Sequence, residues 1–364
     1  MICARFNRLL ACGVLLAIWI VTPSPVVLAD SGRLDDREYW ALMSSLSEAG
    51  GSFVSDNVIS NEIEYQRIIP QLSRVQQGRA YIGVGPEQNF TYIAAVSPSI
   101  AFIVDVQRSN AMLHLLYKAL IEISDSRVGF VSRLFGRPLS AGVRQDIGPA
   151  ELFAMAQRVP FSPTFADDTL RDAMLRLERV HHFPLTDAQR TAIATVYRSI
   201  AIGGPSLRGD YGGGAWIPSY ADLIAATDGD GRNQSYLASE RTFDVVRRHE
   251  RDNLIVPIVG DFAGPTALRA IGAYLRAHRQ TVGVFYTSNV EEYLFKGGTW
   301  RTFVSNLQAL PTDDSSMIVR TYFTHTAAGL QTLTDTVHGT VAAQATGALP
   351  AYDALVQRSK RPVH

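Results

Sequence analysis

Two closely spaced glycines at the end of an apolar run are the first residues in the sequence that could do chemistry. Gly83 and Gly85 lie at the end of the run 80–84, ahead of a helical pattern over 90–96. Glycine lets the backbone turn sharply and approach a ligand closely at a helix N-terminus. The third glycine of a dinucleotide fingerprint is replaced by Gln88. The turn therefore predicts either a ligand-binding loop or a tight connection that contacts no ligand.

A carboxylate follows this turn at a spacing typical of nucleoside sites. Asp105 ends the next apolar run, about 20 residues after the glycines, where a carboxylate can accept hydrogen bonds from ribose hydroxyls. Two structural roles are also open for this residue. It could cap the helix that starts near Ser109, or it could pair with Arg108.

Two further apolar runs end in polar side chains. Asp261 and Phe262 follow one of them, and Tyr286 and Asn289 lie at the end of the other. In an open parallel sheet, ligands collect at the carboxyl ends of the strands. We therefore expect these side chains to share one edge with the glycine turn.

Short, nearly continuous apolar runs precede these residues and are typical of buried parallel strands. The pattern predicts strands over 80–84, 101–104, 254–259, 281–286 and 317–323, with 332–345 as a candidate for one more. A helix is expected from Pro265 to about His278. The predicted fold class is α/β, with a mostly parallel sheet and helices on both faces.

A long helical segment separates the second and third predicted strands. Residues 109–252 are too many for a simple crossover, so we expect a large helical insertion in a single α/β domain over 30–364. Its glycine-rich part, 203–214, is interpreted either as a lid over a cleft or as a plain surface loop.

The order of these elements resembles that of class I S-adenosylmethionine (SAM) methyltransferases, which have a Rossmann-like fold. Segments 53–62, 81–92, 227–240 and 253–294 resemble, more closely, a family of uncharacterised bacterial proteins. The methyltransferase resemblance implies SAM as the cofactor. It places the following residues around it: Gly83, Gly85 and Glu87 in the turn, Asp105 at the ribose, and Asp261 with Phe262 at the adenine.

The methyltransferase hypothesis also implies a small-molecule or peptide-like methyl acceptor, held between the strand ends and the helical insertion. Methyl transfer from a sulfonium needs alignment more than acid–base chemistry. Tyr286, Asn289 and Glu62 are the candidates for orienting the acceptor. Glu62 belongs to a polar segment over 55–62 that either covers the ligand or caps a helix through Ser60.

The turn departs from the family pattern, and so does the N-terminus. Pro86 and Glu87 stand where small residues are usual. Residues 1–29 have the order of a secretory signal, with a basic start, an apolar core and a cleavage site ending at Ala29. The apolar core is short for a membrane span, so an exported protein is expected, with a membrane anchor as the alternative.

Composition narrows the remaining function classes. The 34 basic residues are balanced by 34 acidic ones and form no long block, which argues against nucleic-acid binding. The two cysteines are Cys3 and Cys12, so a chain cleaved after Ala29 has no thiol chemistry. His181 and His182 are adjacent in a predicted helix and are poorly placed to share a metal, so no metal site is expected.

Two functions therefore remain open. The first is a SAM-dependent methyltransferase of unknown acceptor, and the second is an exported, non-catalytic binding protein of the cell envelope that reuses the same fold. Saturable binding of SAM would favour the first.

Overall fold

The computed structural model describes residues 32–140, 142–144, 146–210, 217–324 and 329–360. The predicted signal segment 1–29 lies outside the described residues, as does part of the glycine-rich stretch near residue 212. Within the described ranges, no helix combines the length and apolarity that crossing a bilayer requires.

The described strands form one mixed sheet in an α/β fold. The strands are β1 (Ala80–Gly83), β2 (Ala101–Asp105), β3 (Ile255–Val259), β4 (Val282–Ser288), β5 (Met317–Phe323) and β6 (Leu330–Thr336). Their order across the sheet is β3-β2-β1-β4-β5-β6. The first five strands run parallel, and β6 pairs antiparallel with β5. The sheet is therefore mostly parallel, as the apolar runs predict.

Helices account for most of the remaining regular structure. The described α-helices are α1 (Asp36–Leu46), α2 (Ile69–Leu72), α3 (Gln88–Val96), α4 (Arg108–Glu122), α5 (Arg127–Leu134), α6 (Pro149–Arg158), α7 (Pro163–Leu175), α8 (Asp187–Gly203), α9 (Tyr220–Ala225), α10 (Glu240–Arg251), α11 (Ala267–Ala277), α12 (Val290–Lys296), α13 (Trp300–Gln308), α14 (Val337–Ala345) and α15 (Tyr352–Ser359). Two short 3₁₀ helices (Tyr65–Ile68 and Gly204–Ser206) and a π-helical turn (Arg176–Val180) complete the set. The segment between β2 and β3 is helical, from α4 through α10.

Every residue of β1, β2 and β3 is buried. Successive side chains of a strand point to opposite faces, so complete burial requires cover on both faces of the sheet. The helices α1 and α4 pack against β3 and supply part of this cover. These strands consequently look apolar throughout, which is why their positions could be predicted.

The predicted sixth strand is wrong over its second half. β6 ends at Thr336, where the threonine hydroxyl accepts a hydrogen bond from the Gly339 amide (2.9 Å) and begins α14. Threonine is a favoured residue at helix N-termini for this reason. The helix expected from Pro265 is found as α11 two residues later, with its first amides bonded to the Glu48 carboxylate.

The helical segment is joined to α1 by a buried network of charged groups. The two ring nitrogens of His181 lie 2.7 Å from Asp36 Oδ1 and 2.7 Å from Glu122 Oε2. The Lys118 ammonium lies 2.7 Å from the second Glu122 oxygen and is fully buried. His181 therefore serves as a satisfied buried histidine that links two helices.

Candidate functional site

A cleft of about 910 Å³ opens at the carboxyl ends of the parallel strands. It is called the acidic cleft below, and the strand-end and turn residues that line it include Gly85, Asp105, Asp261, Phe262, Tyr286, Ser288 and Asn289. Residues 52–55, 57 and 60–64 line its other side, among them Glu62. Seven of the nine site residues expected from the sequence therefore meet in one cleft, while Gly83 and Glu87 lie outside its lining.

The turn after β1 is held in shape by one side chain. The Asn89 amide nitrogen lies within hydrogen-bond distance of three consecutive carbonyl oxygens, those of Val84 (2.9 Å), Gly85 (3.2 Å) and Pro86 (2.8 Å). The Tyr81 hydroxyl donates to Asn89 Oδ1 (2.8 Å). Asn89 thus holds three consecutive carbonyls of the turn together through one side chain.

A histidine supports the same turn from below. His114 Nε2 donates to the Gly85 carbonyl (2.9 Å), and burial lowers the pKa of His114 to about 4. The ring is therefore neutral at physiological pH, with its proton on the nitrogen that faces the carbonyl.

The two glycines of the turn are required for different reasons. Gly85 adopts a φ of +79° and has open space where a Cβ would stand, so it needs glycine for its backbone and borders the cleft. A Cβ on Gly83 would collide with Asn89 Oδ1 and the Tyr81 ring. Gly83 is therefore required for packing, which explains its place outside the cleft lining.

Asp105 is directed at the glycine turn. It is 3% exposed, and its carboxylate accepts hydrogen bonds from the backbone amides of Gln107 (2.8 Å) and Gly85. Burial raises the pKa of Asp105 to about 6. Asp105 is not the N-cap of α4, although it bonds the amide of the N-cap residue Gln107, and Arg108 donates to the Ala49 carbonyl (3.1 Å) rather than to Asp105.

The end of β3 presents one polar group and one apolar group. The Asp261 carboxylate is exposed apart from a bond to the Ala263 amide (2.8 Å), so it is free to meet a ligand. The Phe262 ring is buried, with its centroid 5.6 Å from the stacked Phe303 ring and 5.0 Å from the edge-on Phe285 ring. Little of the Phe262 ring surface is therefore free for the expected stacking on a ligand ring.

Glu62 lies where the polar segment before β1 meets the ends of β4 and β5. Its carboxylate accepts hydrogen bonds from Ser288 Oγ, Thr321 Oγ1 and Gln88 Nε2 (the last at 2.9 Å), and the residue is 1% exposed. Ser288 has a φ of +51°, which is uncommon for a residue other than glycine. Strained backbone of this kind is often found at functional sites.

The other expected acceptor residues lie beside this carboxylate. Burial and the Glu62 charge raise the pKa of Tyr286 well above its usual value, so its hydroxyl stays protonated and can donate. The Tyr286 ring packs edge-on against Tyr92 (4.9 Å between centroids). Asn289 is half-buried in the cleft wall.

The polar segment 55–62 does not cap a helix through Ser60. The Ser60 hydroxyl donates to Gln88 and accepts from the Glu62 amide (3.1 Å), and the following 3₁₀ helix starts without a side-chain cap. The Ser60 amide donates to Glu87 Oε1 (3.3 Å). The segment is therefore packed onto the first turn of α3, which is the alternative in which it covers the cleft.

Glu87 is buried beneath this contact and faces away from the cleft. Its second oxygen has no hydrogen-bond partner among the described residues, and burial raises its pKa to about 7. A sequence pattern locates such a residue at the turn but cannot say which way it points. Gln88 and Asn89 carry the turn's key contacts, and their only signal in the sequence is polarity in the first turn of an otherwise apolar helix.

All charged side chains in the described lining of the cleft are acidic. Five carboxylates border the cleft, and the described lining residues include no lysine, arginine or histidine: the acids are Glu62, Glu64, Asp105, Asp261 and Glu292. Glu64 pairs with Arg67, and Glu292 pairs with Lys296. The remaining three have no cation within 4 Å in the described part of the chain, so the cleft favours a positively charged ligand.

Comparison with known proteins identifies a family model that matches the chain. No curated protein matches the chain. The model of a domain of unknown function, DUF7790, matches residues 57–138 and 181–348, which include most of the cleft lining and leave out α6 and α7. Because this match covers more than half of the sequence, the chain belongs to the DUF7790 family.

Proposed function

We propose that the protein binds SAM in the acidic cleft and transfers its methyl group to an acceptor. The observation that carries this proposal is the composition of the lining, in which a glycine turn meets strand-end carboxylates Asp105 and Asp261 without a described basic side chain. A nucleoside bearing a positive charge suits such a lining. A phosphate-containing ligand would meet repulsion there.

The strand order supports a Rossmann-like fold at this site. Nucleotide-binding α/β domains have the order 3-2-1-4-5-6 and hold their ligand where the order reverses, beside the first strand. The same order occurs here, with β6 antiparallel. Gly85 and Asp105 follow the two strands on one side of that reversal, and Asn289 follows the strand on the other side.

Each lining group has a role in this proposal. Asp105 accepts hydrogen bonds from the ribose hydroxyls, Asp261 faces the adenine, and the Gly85 turn lies along the amino-acid part. Bound SAM supplies an activated methyl group on a sulfonium. Tyr286 and Asn289 orient the acceptor by hydrogen bonds, and Glu62 acts through Ser288 as a positioning residue.

Ligand selectivity tests the proposal. Calorimetry on the purified protein should show saturable binding of SAM and S-adenosylhomocysteine, and no binding of ATP or NAD⁺ at the same concentrations, because the described cleft has no cation for phosphates. Tight binding of ATP or NAD⁺, or silence toward both SAM and S-adenosylhomocysteine at millimolar concentration, would contradict it. SAM binding without methyl transfer to any acceptor would favour a non-catalytic binding protein.

The turn offers a matched pair of variants. Gly85→Ala and Gly78→Ala should each lower the free energy of unfolding by about 1 kcal/mol, because both glycines have positive φ and open space for a methyl group. Only Gly85 borders the cleft. SAM affinity measured by calorimetry should therefore fall in Gly85→Ala and stay unchanged in Gly78→Ala, and an equal effect in both variants would remove the turn from the proposed site.

We also propose that the protein is exported and cleaved after Ala29. Mass spectrometry of the native protein, purified from separate cell fractions, should find residue 30 as the N-terminus outside the cytoplasm. Intact residues 1–29 on a cytoplasmic protein would contradict export, while a membrane-bound intact chain would favour the anchor.

A further inference from the structure

Residues 52–54 and the start of α12 contribute to the lining at the mouth of the cleft. The Phe53 and Tyr293 rings meet edge-on there, with 5.0 Å between their centroids. Val54 is 82% exposed and Tyr293 is 40% exposed, which is unusual for large apolar side chains. All three residues line the cleft, so its mouth presents apolar surface to an incoming ligand.

Glu62 contributes a buried carboxylate to the lining of the cleft. Each hydrogen bond that the carboxylate accepts comes from a neutral donor, namely the hydroxyls of Ser288, Thr321 and Tyr286 and the side-chain amide of Gln88. The described chain places no cation within 4 Å of it. A buried carboxylate without a counter-ion exerts a strong field on its surroundings because little water screens it.

We propose that the methyl acceptor is an amine carried on an apolar group, with the nitrogen near Glu62 and Tyr286 and the apolar part against Phe53, Val54 and Tyr293. This inference rests on the proposed function and names its substrate class. An ammonium is attracted by the field of Glu62, whereas a carboxylate is repelled by it. The apolar surface at the mouth gains free energy when a ligand covers it.

In the proposed methyl transfer, the amine nitrogen attacks the methyl carbon directly. The ammonium binds, loses one proton to solvent, and attacks as the neutral amine. Its nitrogen lone pair forms the new bond to the methyl carbon, and the electrons of the carbon–sulfur bond return to sulfur, which becomes the neutral thioether. The methylated nitrogen is left as an ammonium, and the Glu62 field favours this positive charge. The Tyr286 hydroxyl, which stays protonated, donates to Glu62 and so holds this carboxylate beside the nitrogen.

Three probes of one shape and different charge test the proposal. Phenethylamine, 2-phenylethanol and phenylacetate share an aromatic ring and a short chain, and they end in an ammonium, a hydroxyl and a carboxylate. Binding to the full, unmodified protein is measured by calorimetry or ligand-observed NMR, with and without saturating SAM. We expect the amine to bind about tenfold more tightly than the alcohol, because hydrogen bonds to charged groups are the stronger ones, and the carboxylate to bind most weakly.

Two variants test whether Glu62 causes the preference for the amine over the alcohol. Glu62→Gln should reduce the advantage of the amine over the alcohol, while Glu151→Gln, an exposed acid of α6 outside the cleft, should keep it. The unmodified protein decides the question even if the Glu62 variant does not fold.

Different results would contradict the amine acceptor and the binding of SAM. SAM binding together with an alcohol or carboxylate that binds as well as the amine, or with no amine binding at millimolar concentration, overturns the amine acceptor and leaves SAM binding in place. Amine preference without any SAM binding refutes methyl transfer, and the cleft is then a cation site with no acceptor role.

Discussion

Asp105→Asn should bind SAM about tenfold more weakly and yet unfold less readily than the unmodified protein at pH 8. Exchanging a charged acceptor for a neutral one lowers the strength of its hydrogen bonds by about 1 kcal/mol or more. Asp105→Ala, which removes the acceptor, should weaken binding by about tenfold to more than a hundredfold. Calorimetry gives the affinities, and denaturant unfolding gives the stabilities.

The gain in stability follows from the pKa of Asp105, which burial raises from 3.8 to about 6. A carboxyl with a raised pKa in the fold contributes stability below pH 3.8, and that contribution is lost as the pH rises through 6. Asparagine stays neutral throughout. The variant should therefore gain about 2–3 kcal/mol over the unmodified protein between these pH values and keep the gain above them.

The control is Asp228→Asn, which changes an aspartate in a turn outside the cleft that accepts bonds from the Asp230 and Arg232 amides (2.9 Å each). It should leave SAM affinity unchanged. If Asp105→Asn lowers stability and preserves affinity, Asp105 belongs to the scaffold and the proposed ribose contact is wrong.

Arg320→Met should lower the free energy of unfolding by about 3–5 kcal/mol, because it leaves a buried carboxylate without its partner. Arg320 on β5 is fully buried, and its guanidinium bonds both oxygens of the buried Glu291 on α12 (2.6 and 3.1 Å). α12 begins directly after Asn289, so this ion pair also fixes one wall of the acidic cleft. Denaturant unfolding measures the loss.

Two variants separate the buried pair from charge in general. Arg171→Met removes an arginine of α7 that is 63% exposed and bonds the exposed Asp168 (2.5 Å), and it should cost about 1 kcal/mol or less. The double change of Arg320→Met with Glu291→Leu should recover much of the single-variant loss, since no unpaired charge stays buried. An equal cost for Arg320→Met and Arg171→Met would refute the role of burial.

The strands and the strand-end side chains could be predicted because one physical rule links them. Parallel strands buried on both faces are apolar throughout, and their carboxyl ends share one edge, so Asp105, Asp261 and Asn289 could be grouped before any coordinates. The local order of residues also predicted the glycine turn. Gly85 borders the cleft and has the positive φ of a glycine turn.

The remaining features depend on contacts between distant residues. Gly83 and Glu87 lie in the same turn as Gly85, and only packing against Asn89 and Ser60 turns them away from the cleft. Glu62 reaches Thr321 and Ser288 across most of the chain. The second half of the predicted sixth strand became α14 because the Thr336 hydroxyl begins a helix, a local signal that the apolar pattern of 332–345 obscured.

The pairing of the central strands sets an order for folding. β1 and β2 are joined by α3 alone and pair at Tyr81 and Ala101, whereas β1 pairs with β4 at Ile82 and Phe285 only after the whole helical segment has been made. Local pairings form faster than those that must close a long loop. We therefore expect the Gly85 turn and Asp105 to take shape early, on a chain that still lacks the opposite wall. A ligand that contacts both walls of the cleft meets its complete site only when the last strands are in place, so we expect it to stabilise the finished protein and not the first steps of its folding.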